Sequence, residues 1–509
     1  MTNHNLYLQL VGDRFEKAAE RPFLITPGRL PLLFSELHRM SGLVAARLQQ
    51  LNVGPGDRVM VQVAKSPESV LVYLACLRLG AIYIPLNTAY TPAEVSYFIE
   101  DAKPQLFICQ PGERENLVAR SKAGNVPHTR TLGSEGDGDL LIGVERLSPE
   151  VPVVEREADD LAAILYTSGT TGRSKGAMLS HHNLSSNAQV LHRYWQWQDR
   201  QDVLLHALPV FHVHGLFVAL HCALLGQSTV HFLARFNPDQ IIDCLPDCTV
   251  MMGVPTFYTR LLNDARLTDQ LCAKMRLFIS GSAPLLAATH RQFEQRTGFR
   301  ILERYGMTEA GMIASNPYQG DRLAGTVGYP LPGVSVRIAD NHGNELPRGE
   351  TGVLELKGPN VFKGYWQMPE QTAREFRQGG WFISGDNAVM DQTGRISIVG
   401  RARDLIISGG YNIYPKEIEA EIDAIPGVGE SAVIGLPHDD FGEVAAAIVV
   451  KDGSRQLGEQ QIIEPLQGRL ARFKQPKLVI FVDELPRNTM GKVQKAELRE
   501  TYKASVNRP

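Results

Sequence analysis

The sequence predicts an α/β fold: a large N-terminal domain of stacked α/β sheet subdomains plus a β-rich subdomain, followed by a small α/β C-terminal domain. Three observations predict it. A strand–helix–strand rhythm is visible from Arg58 onward, the pattern shortens into β segments separated by Pro/Gly turns after Gly325, and a charged junction, Gly400-Arg401-Ala402-Arg403-Asp404, precedes a fresh α/β pattern. The boundary is placed there, giving domains 1–402 and 403–509. At 509 residues the chain calls for more than one domain, at roughly 100–200 residues each.

The elements follow in order. Gly54-Pro55-Gly56-Asp57 turns into the strand Arg58 to Val63; an apolar helix from Glu68 to Leu79 stops at Gly80, a natural residue to follow a helix; Ala81 to Leu86 resumes as a strand. Glu113 to Asp160 is polar and weakly patterned and reads as a surface excursion. Leu161 to Leu165 is strand-like, and Ser180 caps a helix running to about Tyr194. Cys248 to Thr256 and Arg276 to Ser280 read as buried strands, the first leading into a helix at Phe257. The later β segments are Val334 to Ile338, Gly352 to Leu356, Gly358 to Asn360 and Ile396 to Val399.

Composition narrows the function classes. With 52 basic against 55 acidic residues and a net charge of −3, no global charge draws the chain to nucleic acid or an anionic membrane. The six cysteines are scattered without paired metal-type spacing and read as reduced, mostly buried thiols. No basic segment followed by an apolar core opens the chain, and no run of about 18 apolar residues occurs, so no membrane span and a cytoplasmic location are expected.

The chemistry centres on Tyr166-Thr167-Ser168-Gly169-Thr170-Thr171-Gly172-Arg173-Ser174-Lys175-Gly176, which follows the strand-like run ending at Leu165. Its glycines let backbone N–H groups converge on an anion, its hydroxyls add donors, and Lys175 adds a mobile positive charge. The G-K-[ST] ending of a Walker loop is missing. Composition of this kind also marks flexible linkers, but the entry from a strand and the basic end favour a phosphate cradle. Tyr305-Gly306-Met307-Thr308-Glu309 gathers an aromatic ring, a hydroxyl and a carboxylate, suited to an adenine face, a phosphate oxygen and Mg²⁺, or else to a capped strand-to-helix turn. Asp386, after a glycine turn, suits two vicinal ribose hydroxyls. His212 and His214 sit in an apolar, aromatic stretch, either as hydrogen-bonded core histidines or as the wall of a substrate pocket. The pair His181-His182 lacks a carboxylate or cysteine at ligand spacing and reads as polar helix-start residues. Arg260 and Ser282 lie just past strand ends, where ligands collect in open α/β sheets.

Together, in order and over almost the whole chain, these segments resemble the adenylate-forming superfamily of acyl-CoA synthetases, nonribosomal adenylation domains and luciferases. Tyr166 to Gly176 resembles its phosphate loop, Tyr305 to Glu309 its nucleotide motif, Ser384-Gly385-Asp386 its ribose motif, Gly400 to Asp404 its hinge and Gly491-Lys492 its adenylation lysine. Ser174 stands where many members have proline, which leaves the loop less preorganised but removes no phosphate contact. The resemblance implies ATP, Mg²⁺ and coenzyme A as cofactors and two half-reactions: a carboxylate attacks the α-phosphorus of ATP, then a thiol displaces AMP. It implies Lys492, Thr308 and Glu309 as catalytic residues, with Glu309 also holding the metal. Nucleotide contacts would come from Thr167, Ser168, Gly169, Thr170, Thr171, Gly172, Lys175, Tyr305 packed on adenine, Gly306, Met307, Asp386 and Arg401. Arg403 would be the hinge of a mobile small domain, whose Gly409 and Gly410 would face the thiol tunnel.

Within the superfamily, Met252 to Arg260, Ser280-Gly281-Ser282 and Pro486 to Lys492 look most like malonyl-CoA synthetases. That resemblance implies a small dicarboxylic acid, malonate or methylmalonate, whose second carboxylate meets Arg260 and Ser282, with His212 also lining the substrate site. A guanidinium in an acyl pocket has no counter-charge on a fatty or aryl acid; the sequence leaves open whether Arg260 instead points outward from its helix. A non-catalytic nucleotide-binding scaffold would not need Lys492, Glu309 and Asp386 together. A module loading a carrier protein is the nearer rival, and the absence of a carrier segment before Pro509 favours free CoA. Another short or medium-chain acid, and a monomer or a dimer, stay open.

Overall fold

The computed structural model describes residues 3–12, 18–167, 174–401, 404–408, 411–438, 441–467, 469–470, 472–489, 491–503 and 505. The architecture is mixed α/β, with a large N-terminal and a small C-terminal domain. Two largely parallel sheets build the first part. One has six strands, ordered His128–Thr131, Leu106–Cys109, Arg58–Gln62, Ile82–Pro85, Leu161–Thr167 and Lys175–Ser180, with only the last pair antiparallel. The other has nine strands, whose parallel middle contains Leu302–Met307, Leu277–Ser280, Val250–Gly253 and Val203–His206 as successive neighbours.

Buried helices join these sheets. Pro67–Leu79 starts with Ser66 accepting from the Ser69 N–H and a proline in its first turn, and stops at Gly80, whose φ of 68° is the left-handed conformation that glycine adopts without strain. Nearly all of its residues are buried, so the apolar run packs between layers instead of lying on a surface. Ser180 likewise caps His181–Tyr194. The helix after Val250–Gly253 begins at Pro255, slightly earlier than the sequence suggested, because proline suits the first helical turn.

The segment expected to be a surface excursion is more than that. It forms a helix, Arg114–Arg120, and the edge strand His128–Thr131, and buries Leu132, Leu140 and Val144. Its strand is short and polar, which weakened the alternation signal. Gly358 to Asn360, expected as a β segment, follows the strand Thr351–Lys357 without pairing.

A five-stranded antiparallel sheet comes next, with Ser335–Ala339, Thr351–Lys357, Trp381–Met390, Phe376–Arg377 and Ile396–Arg401. Beyond it, Ile406–Ser408, Tyr411–Ile413, Val428–His438, Gly442–Lys451 and Leu478–Val482 make a separate sheet. Two hydrophobic clusters there are built only from residues beyond Asp404, as an independently packed small domain requires. All six cysteines are free thiols and five are buried. Among the described residues no helix is long and apolar enough to cross a membrane.

Candidate active site

The residues expected to face the nucleotide converge where the three sheets of the large domain meet. Of the glycine-rich loop, Ser168, Gly169, Thr170, Thr171 and Gly172 lie outside the described residues, while its flanks are placed. Thr167 ends a central strand, and its hydroxyl donates to Glu309 Oε1 at 3.4 Å; the Tyr365 hydroxyl donates to the same oxygen at 3.1 Å. Glu309 is buried, and desolvation raises its pKa, so its ionised form lacks compensation. Lys175 is nearly buried: its ammonium pairs with Glu375 at 3.2 Å and lies 4.8 Å from the centre of the Tyr365 ring. The lysine expected as a mobile charge is thus held down, because Glu375, brought in from a segment 200 residues away, neutralises it.

Asp386 sits within the strand Trp381–Met390, and Gly385 before it has a φ of 71°. Its carboxylate is almost fully covered, with Oδ1 accepting from Arg401 Nε at 3.0 Å across the register pair of two strands. Oδ2 accepts from the Tyr305 hydroxyl. The lone pairs left on both oxygens suit two adjacent hydroxyls. Tyr305 is therefore anchored at its hydroxyl end, leaving the ring as the element's apolar surface. Gly306 lies beside the Gly311 carbonyl, which a Cβ would meet at 2.2 Å, so the tight reversal from Leu302–Met307 to Gly311–Ser315 needs glycine there. Met307 and Thr308 are half-buried at the same reversal.

A second polar cluster lies at the ends of the nine-stranded sheet. His212 Nδ1 accepts from the His214 N–H at 3.2 Å, and His214 Nδ1 is 3.3 Å from Ser282 Oγ. Ser282 holds a φ of 72° without being glycine, a strained conformation of the kind that clusters at functional sites. Burial, with Arg304 adding repulsion, pushes His212 down to about 4 and His214 well below its ordinary value, so both imidazoles are neutral at pH 7.

Arg304, which immediately precedes Tyr305 and was not singled out by the sequence, is the cation of this cluster. It is 3% exposed, its Nε and Nη2 find no hydrogen-bond partner among the described residues, and burial pushes it down to about 9. Gly281 makes room for it, since a Cβ there would lie 2.5 Å from the guanidinium carbon. Ser280 Oγ and His214 Nε2 are also buried without partners. Native structures rarely leave buried polar groups unpaired, and four such atoms on neighbouring residues mark a place built for an anion. Arg260, by contrast, is exposed on the helix Pro255–Leu262, its guanidinium carbon 6.0 Å from the Phe236 ring centre.

Lys492 belongs to a reversal of the small domain, half-buried, with its N–H donating to Asn488 Oδ1 at 2.9 Å. The tip of that reversal lies against the large domain. Asn87 Nδ2 donates to Thr489 Oγ1 at 3.3 Å, and a Cβ on Gly491 would lie 3.0 Å from Thr256 Oγ1. Thr256 stands one helical turn before Arg260, so Lys492 is carried to the end of the nine-stranded sheet that holds the polar cluster. Arg403, Gly409 and Gly410 lie outside the described residues. His181, set aside above as a metal ligand, is buried with Nδ1 accepting from the Leu6 N–H at 3.0 Å.

The chain is similar to known proteins over nearly its whole length. The pattern described as AMP-binding enzyme matches residues 13–366, and that described as AMP-binding enzyme C-terminal domain matches 417–492. A feruloyl-CoA synthase from an Amycolatopsis species is 36% identical, covering 93% of this chain and 95% of its own. The mitochondrial malonate–CoA ligase of Mus musculus is 35% identical over 96% of this chain and 88% of its own. The crystal structure of ATP-bound MatB from Rhodopseudomonas palustris superimposes with a TM-score of 0.95 at 52% identity, covering 99% of this chain and 100% of that one. With that pattern spanning more than half its length, the chain belongs to the AMP-binding enzyme family.

Proposed function

We propose that this chain is an acid–thiol ligase that adenylates malonate, or its methyl homologue, and passes the acyl group to coenzyme A. The observation that carries the choice of acid is the buried Arg304 guanidinium, whose Nε and Nη2 have no partner among the described residues, beside Ser280 and His214. Curated relatives at 31–36% identity are named for feruloyl, malonate and long-chain fatty acids, so identity among those relatives alone does not select the acid. The electrostatics do: an aryl or alkyl tail would leave the guanidinium desolvated and alone, whereas a second carboxylate forms a charge-assisted pair with it. Arg260, exposed one turn beyond Thr256, stands as a second cation for the dianion, with Ser282 and His212 lining its path.

In the first half-reaction a carboxylate oxygen attacks the α-phosphorus and pyrophosphate leaves. Asp386 and Arg401 hold the ribose, Tyr305 offers its ring to adenine, and the donors of the glycine-rich segment are assigned to the β- and γ-phosphates. Lys492 meets the negative charge that builds as the acid attacks. Glu309 fits Mg²⁺: it is a buried carboxylate short of positive charge with the Thr167 hydroxyl beside it, and magnesium takes its other ligands from water and phosphate. Bound there, the ion would neutralise the triphosphate. Among the described residues no group of three or more metal-ligating side chains forms a protein-only cage. In the second half-reaction the CoA thiol attacks the acyl carbonyl, the thioester forms and AMP leaves, after the small domain turns about Arg403.

The test is pyrophosphate release with ATP over malonate, methylmalonate, acetate, butyrate and ferulate. Malonate or methylmalonate should lead by at least about 100-fold in kcat/KM. A preference for butyrate or ferulate overturns the reading.

A further inference from the structure

The reversal that carries Lys492 is a short arch closed by main-chain bonds: Asn488 N–H to the Lys492 carbonyl at 3.0 Å and Gln494 N–H to the Pro486 carbonyl at 2.8 Å, with Arg487 and Val493 paired antiparallel. Val493 packs against the hydrophobic cluster on the small domain's sheet, and Arg487 adds a directional polar tie to that sheet. Its Nη1 donates to the Gly491 carbonyl at 2.6 Å, the peptide that leads into Lys492, and its Nη2 to the Glu430 carboxylate on the strand Val428–His438. One planar fork therefore joins the backbone next to the lysine to the rigid sheet of the small domain.

We infer that Arg487, braced by Glu430, is the positioning residue that aims Lys492 at the reacting phosphate in the first half-reaction. The inference rests on the proposed role of Lys492 and extends it. A lysine has four rotatable side-chain bonds, so the direction of its charge depends on how firmly its backbone is held, and Gly491, with a φ of 73°, supplies a conformation without stiffness of its own. A rigid guanidinium with two fixed donor directions supplies that stiffness, whereas an ammonium, as a point charge, does not. The arch also bears on the large domain through Thr489 and Thr256, so a loosened arch misdirects the lysine in the orientation where it is needed. An aiming error of about 1 Å can cost on the order of 100-fold in rate.

The experiment measures the half-reactions separately in Arg487→Gln, Arg487→Lys, Glu430→Gln and Lys492→Ala, with melting temperatures for each. Arg487→Gln and Glu430→Gln should each slow adenylation 10- to 100-fold in kcat with the KM for ATP within about threefold, and leave thioester formation from supplied acyl-adenylate within about threefold of the parent. Arg487→Lys should fail nearly as badly as Arg487→Gln, and the double variant Arg487→Gln/Glu430→Gln should be no slower than the worse single one, because both break one brace. Full adenylation in Arg487→Gln while Lys492→Ala is inactive overturns the inference and spares the role of Lys492. Equal loss in both half-reactions with a lower melting temperature also overturns it, assigning Arg487 to folding. If Lys492→Ala itself keeps adenylation, the underlying role of Lys492 is what fails.

Discussion

Arg304→Met separates the proposed malonate reading from a generic acyl pocket, because activity and stability should move in opposite directions. Burial pushes the guanidinium down to about 9, well below the ordinary arginine range, and its Nε and Nη2 have no partner among the described residues. At ~1.4 kcal/mol per tenfold change in ionisation, keeping that charge in the folded chain costs on the order of 4–5 kcal/mol. Methionine is unbranched and flexible and fills most of the volume of the arginine side chain, so it removes the charge without opening a large void. The variant should fold as well as the parent or melt a few degrees higher. For malonate, losing the charge-assisted partner should cost about 3–4 kcal/mol, hence roughly 10²–10³-fold in kcat/KM. Acetate and butyrate should change by less than tenfold, with butyrate gaining. The assays are pyrophosphate release on the four short acids and thermal melting with and without each acid, in which malonate but not butyrate should raise the melting temperature of the parent. Malonate activity within threefold of the parent would refute the reasoning, as would a uniform loss on all acids with a lowered melting temperature.

Lys492→Ala should abolish adenylation while sparing thioester formation from supplied acyl-adenylate, since in the proposed mechanism the small domain brings that lysine to ATP in one orientation only; single-turnover rates of the two steps check it. Arg403→Pro should slow the thioester step more than adenylation, because proline fixes φ at the proposed pivot, and an unchanged second step would move the hinge elsewhere. Gly281→Ala should displace the Arg304 guanidinium and lower malonate kcat/KM at least tenfold with little change in the KM for ATP. Glu303, buried and facing Lys416 of the small domain, accepts from the Gly325 N–H at 3.2 Å and is pushed up to about 7 by desolvation. The folded chain therefore holds this proton more tightly than the unfolded one, and the group's contribution to stability falls as pH rises from about 4.5 to 7. Glu303→Gln keeps the acceptor, so melting curves should show a gain of up to about 3 kcal/mol at pH 8 that vanishes near pH 4.5.

Much of the fold was legible because its signals are local. The cap and stop of Pro67–Leu79, the Ser180 cap and the parallel strands that read as apolar runs each depend on a few adjacent residues. The edge strand His128–Thr131 was not legible, since a polar strand at a sheet margin carries no alternation and is specified by its partner, Leu106–Cys109. The ion pair between Lys175 and Glu375 joins residues 200 apart, and no local pattern announces it.

Arg260 and Arg304 show where motif reading stops in the site itself. Arg260 drew attention because it follows a strand end and matches a position in the resemblance, yet its helix leaves it exposed. Arg304 immediately precedes the motif Tyr305 to Glu309 and carries no local signal of its own in the sequence, because a charge beside such a motif reads as solvated. The available signal was its context: Ile301 and Leu302 lead through Glu303 to it at the start of an interior strand, and a charge inside such a strand is costly unless something pairs with it. Successive strand residues face opposite sides, so a tyrosine committed to the nucleotide side sends the arginine before it to the other, where Gly281 has no side chain to bar it. In the proposed reading one strand thus offers the ring of Tyr305 to the nucleotide and the charge of Arg304 to the acid from opposite faces, so Arg304→Met should change acid preference while leaving the KM for ATP within about threefold.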